Sequence, residues 1–65
     1  MTDTAKKQMA RLERQYEQHR LALQQLNRQE ADGAISAEDA APRRRALQAR
    51  LAGIAGKMRE AASRW

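Results

Sequence analysis

Along the first half of the chain, apolar and ring-bearing side chains recur at Ala5, Met9, Leu12, Tyr16, His19, Leu23 and Leu26, at alternating intervals of four and three residues. That interval is the heptad of a helix with one buried stripe, and it predicts a helix over about 4–31. With Met9 at position a, Leu12, His19 and Leu26 fall at d, and Tyr16 and Leu23 at a. Thr2, Asp3 or Thr4 supplies a start signal, and Asp3 suits the positive end of the helix dipole. Ala31-Asp32-Gly33 supplies the stop, since glycine readily takes the left-handed conformation that closes a helix.

The second half repeats the pattern at Leu47, Leu51, Ile54, Met58, Ala61 and Trp65. A second helix is predicted over about 40–64, after a turn over 32–39. Ser36 and Asp39 form a variant capping box, with Ile35 as the hydrophobic staple before it. Starting the helix at Ser36 would carry Pro42 into its interior, where proline costs about 3 kcal/mol. Asp39 is therefore the expected cap, with Pro42 in the first turn and residues 36–39 in a short or kinked turn.

Folding back near Ile35 sets a against d in antiparallel layers: Leu23 with Leu47, His19 with Leu51, Tyr16 with Ile54, Leu12 with Met58, and Ala5 with Trp65. The expected fold is all-α, an antiparallel two-helix hairpin of coiled-coil character forming one domain over 1–65. Two helices shield only part of each stripe, so a homodimer closing into a four-helix bundle is expected.

Composition strengthens that expectation. A 65-residue chain buries only about 60% of its unfolded surface. Its large apolar residues are six Leu, two Ile, three Met, one Tyr and one Trp, with neither Phe nor Val. With no cysteine and a single histidine, neither a disulfide nor a metal cage supplements the core, and self-association is the remaining stabiliser. Ala, Gln, Arg, Leu, Glu and Lys dominate, which favours helix over disorder.

The segment Gly33-Ala-Ile-Ser-Ala-Glu-Asp-Ala-Ala-Pro-Arg-Arg44, preceded by Leu23 and Leu26, resembles the G-x-I-[ST]-x-E-[ED] turn of short C-terminal oligomerisation hairpins, the SHOCT domains. The resemblance covers roughly residues 23–47 and runs through Gly33, Ile35, Ser36, Glu38, Asp39, Arg43 and Arg44; Ala40 and Pro42 depart from it. It implies an oligomerising hairpin. In architecture the whole chain is also similar to the repressor of primer protein, a short hairpin that dimerises and binds RNA.

No arrangement of nucleophile and base, no glycine-rich phosphate loop and no metal-ligand pair is readable, so neither an enzyme nor a cofactor is expected. His19, at d beside Tyr16 and Leu23, is read as a core-edge histidine rather than a ligand. There is no membrane-length apolar run and no signal-peptide core, and the apolar stripe is narrow for a membrane-surface helix. Together with the absence of cysteine, this suggests a cytoplasmic protein without a membrane or small-molecule partner.

A net charge of +5 points to acidic partners. The c and f positions of the first helix read Lys7, Arg11, Arg14, Gln18, Leu21, Gln25 and Arg28, with Glu13 and Glu17 off that line. Such a stripe is either a solvated face or a candidate nucleic-acid face of Lys7, Arg11, Arg14, Gln18, Gln25 and Arg28. Arg44, at an a position, is expected to snorkel or to pair with an acid across the dimer. Opposite the second seam runs a line of small residues, Ala46, Ala49, Gly53 and Gly56, which with exposed Leu21 is a candidate partner face. The alternative is plain tolerance of small residues.

These features favour a small interaction or regulatory protein, an adaptor, co-chaperone or phage-type inhibitor, that pairs with itself and grips a protein partner through its outer faces. The alternative is a dimer binding RNA or DNA through the first helix.

Overall fold

The computed structural model describes residues 2–64, without the side chain of Thr2, as two helices, α1 (Thr2–Ala31) and α2 (Ala37–Ser63), packed against each other in one antiparallel hairpin. At 1.5 Å per residue they are about 45 and 40 Å long, and the Cα trace extends 48 × 14 × 10 Å.

The turn is built by hydrogen bonds from helix-end groups. The Gly33 amide donates to the Glu30 carbonyl (3.1 Å) and the Ala34 amide to the Gln29 carbonyl (2.8 Å), the paired bonds of a Schellman closure. Gly33 carries φ +79°, the left-handed conformation that this closure requires. Ser36 then starts α2: its backbone is extended and its Oγ accepts the Asp39 amide at 3.1 Å.

This corrects the expected start of α2. Asp39 is not the cap, and Pro42 lies at the sixth residue of the helix. Proline there removes a single bond, the one its missing N–H would have made to the Glu38 carbonyl. The earlier start gains the Ser36 cap and the Ala40 amide bond to the Ser36 carbonyl (2.9 Å), and it buries Ala40 completely beside the staple position held by half-buried Ile35. Pro42 itself is exposed.

The core follows the two seams. Leu12, Ile54 and Ala61 are buried together, with Met9, Tyr16 and Met58 packed against them, so both members of the Tyr16–Ile54 and Leu12–Met58 layers meet in one cluster. Leu26 and Ala40 are buried nearer the turn. His19, Leu23, Leu47 and Leu51 between these regions are only half-buried, as is Ala5. Trp65, expected opposite Ala5, lies outside the described residues.

Candidate functional site

Among the described residues the surface carries shallow furrows, two of which run between side chains of α1 alone. One lies among Lys7, Ala10, Arg11, Arg14, Gln15 and Gln18, and another among Leu21, Gln24, Gln25 and Arg28. Among the described residues there is no group of three or more His, Cys, Asp or Glu placed to hold a metal, and no helix long and apolar enough to cross a membrane. Among the described residues the features that stand out are faces rather than an enclosed cavity.

The outer face of α1 holds Lys7, Arg11, Arg14, Gln18, Gln25 and Arg28 together, all exposed. A helix repeats every 3.6 residues, so c and f positions line one side of it, directly away from the packed a and d seam. Leu21, 45% exposed, sits in this row. The small-residue line of Ala46, Ala49, Gly53 and Gly56 occupies the corresponding outer side of α2. The structure therefore does not unite Leu21 with that line, because the outer sides of two paired helices point away from each other. A methyl group added at Gly53 or Gly56 would meet nothing within 4 Å, so no close approach inside the hairpin calls for glycine there.

Arg44 does not wait for a second chain. Its Nε donates to Asn27 Oδ1 at 3.0 Å and its guanidinium pairs with Glu30, so the seam cation is satisfied by α1 of its own hairpin. The antiparallel register explains this: Arg44 lies level with Leu26, which brings it alongside Asn27 and one turn from Glu30. His19 Nδ1 donates to the Gln15 carbonyl at 2.7 Å, a bond within its own helix that orients the ring at the edge of the seam.

Charge is unevenly placed. On the side lined by b and e positions, Arg20 bonds Glu17, with its Nε 3.1 Å from Oε2. This hydrogen bond, aided by the guanidinium charge, holds the exposed Glu17 carboxyl below the usual carboxylate range and pushes Arg20 up. The opposite flank is different. The g positions of α2 carry Arg43, Arg50, Lys57 and Arg64, all exposed, one per heptad. Ala22 and Arg50 line one hollow with His19 and Leu47, which places the g rows of both helices on the same flank. Facing this cationic row on α1 are Gln8, Gln15, Ala22 and Gln29. Reading α1 and α2 separately overlooks the α2 row, although its seven-residue spacing is plain in the chain.

No protein-family model matches the chain, and neither the curated proteins nor the solved structures contain a match.

Proposed function

We propose that the chain is a non-enzymatic interaction module: a hairpin that completes its core by self-association and binds a macromolecular partner through the faces left outside. The observation that carries this reading is the thin seam. Among the described residues the large buried side chains are Leu12, Leu26 and Ile54, while Met9, Tyr16, Leu23, Leu47, Leu51 and Met58 stay half-buried along one continuous stripe. Burying a large apolar side chain from full exposure is worth about 2 kcal/mol, and each of these retains a fraction of that to gain against a second hairpin.

The flank made by e positions suits that contact. On α2 it presents Ala41, Gln48, Ala55 and Ala62, three of the four small enough for close approach, and on α1 it mixes Lys6, Glu13, Arg20 and Asn27. A four-helix bundle formed there covers the seam from one side. Sedimentation equilibrium at micromolar concentration tests the reading: about twice the chain mass is expected, with a midpoint of thermal unfolding that rises with concentration. A stably folded monomer at those concentrations would overturn it.

A further inference from the structure

The net positive charge of this protein resides on one side of it. On the flank lined by b and e positions, Lys6, Arg20, Arg45 and Arg59 are matched in number by Asp3, Glu13, Glu17 and Glu38, and in the seam Arg44 is matched by Glu30. The other cations run from the g flank of α2 round to the outer side of α1. One row is Arg43, Arg50, Lys57 and Arg64 on α2; the other is Lys7, Arg11, Arg14 and Arg28 on α1. These eight are exposed, and none enters an ion pair among the described residues, where the pairs are Arg20–Glu17 and Arg44–Glu30. The acids near them are Asp39 and Glu60, one helical position beyond the α2 row, Asp32 in the turn, and Asp3 and Glu17, each within one turn of Lys7 or Arg14 and already matched by cations on their own flank.

We propose that this two-helix face binds the phosphate backbone of double-stranded nucleic acid. This rests on the reading of the chain as an interaction module and names the partner class. Length supports it: from Arg43 to Arg64 the α2 row spans about 32 Å, close to the roughly 34 Å of one duplex turn. Chemistry supports it as well. Gln8, Gln15, Gln18, Gln25 and Gln29 lie among or beside the cations and supply neutral donors for phosphate and sugar oxygens, the contacts that position a protein on a duplex.

Among the described residues, the face lacks what other occupants need. A single strand is held by stacking successive bases on several aromatic rings; among the described residues Tyr16 is packed into the seam cluster, and His19 beside Arg50 offers one ring rather than a platform. An acidic protein would need apolar anchors at the centre of the contact, and the exposed large apolar side chain is Leu21, at the shoulder. A second copy is repelled, because pairing this flank with itself would set like charges against each other. Self-association through the alanine-bearing flank leaves the basic face open.

Fluorescence anisotropy with a labelled 20-base-pair duplex, as DNA and as RNA, tests the proposal, with the matching single strand and poly-glutamate as competing probes. Duplex binding is expected at about 50 mM salt, falling steeply as salt rises. The double variant Arg50→Gln with Lys57→Gln should weaken binding about tenfold or more and reduce the slope of log affinity against log salt by about 2, one for each lost phosphate contact. Arg45→Gln with Arg59→Gln removes the same charge from the same helix on the opposite flank and, with its mass in sedimentation equal to that of the parent protein, should leave the slope unchanged. Equal effects of the two pairs, tighter binding of the single strand or of poly-glutamate, or no duplex binding at low salt would each overturn the proposal. Circular dichroism confirms that the variants stay helical. Sedimentation of the same samples separates the readings: a monomer that binds duplex removes self-association alone, and a dimer that does not bind removes this face alone.

Discussion

Arg44 and Glu30 join the two helices across the seam near the turn, each with about 30% of its side chain still exposed. The pair is too sheltered to be counted as a surface ion pair and too wet to carry the full cost of a buried one. Glu30→Gln and Arg44→Gln should each lower stability by about 1 kcal/mol, and the double variant should lose less than the two singles together. Urea unfolding of the four proteins measures the coupling. Strictly additive losses would mean that the pair does not hold the helices together.

The start of α2 can be tested at two positions. With Ser36 as cap, Ser36→Ala removes the acceptor of the Asp39 amide and should cost about 1 kcal/mol. With Pro42 at the sixth helical residue, Pro42→Ala restores a backbone bond and should stabilise by about 1–3 kcal/mol. Thermal unfolding of both variants gives the answer. A helix beginning after Asp39 would instead show no gain from Pro42→Ala and little loss from Ser36→Ala.

Gly33 should resist substitution for a conformational reason alone. A Cβ there meets nothing within 4 Å, but the backbone stands at φ +79°. Gly33→Ala should therefore cost about 1–2 kcal/mol, and Gly33→Asn less, because asparagine tolerates the left-handed region better. Denaturant midpoints of the two variants report the order.

Gly53 and Gly56 should behave in the opposite way. Each lies in ordinary helix with open space beside it, so Gly53→Ala and Gly56→Ala should each add up to about 1 kcal/mol. If the α2 outer side also docks a partner, Gly53→Leu would leave the free hairpin helical and weaken the complex. Unchanged partner affinity in Gly53→Leu returns that side to solvent.

The helical hairpin was legible in the chain because one stripe decides it: the four-three spacing from Met9 to Leu26 and from Leu47 to Met58 is the pattern that buries Leu12 and Ile54 together. The Schellman turn was legible for a similar reason, since Gly33 stands where a left-handed residue is needed. The start of α2 was not. Two local rules conflict there, the Ser36 cap and the aversion of helices to Pro42, and the burial of Ala40 that favours the cap is a tertiary fact. The partner of Arg44 was not legible, because its acid, Glu30, lies on the other helix of the same hairpin and is visible only once the register is known. The basic surface was half legible: the α1 row shows in a helical wheel, but Arg43, Arg50, Lys57 and Arg64 join it only through antiparallel packing.

The contacts near the turn also bear on the order of assembly. Arg44 and Glu30 are fourteen residues apart in the chain, whereas the cluster of Leu12, Ile54 and Ala61 joins segments much farther apart. Closing a loop costs more entropy the longer it is, so the ends nearest the turn meet first and shorten every loop that remains. Zipping outward from there, through the half-buried layers of Leu23, Leu47, His19 and Leu51, would add a contact at each step at little further loop cost. Amides of the last turns of α1 and of the facing stretch of α2 around Arg44 should accordingly exchange with solvent more slowly than those near Thr4 and Ser63.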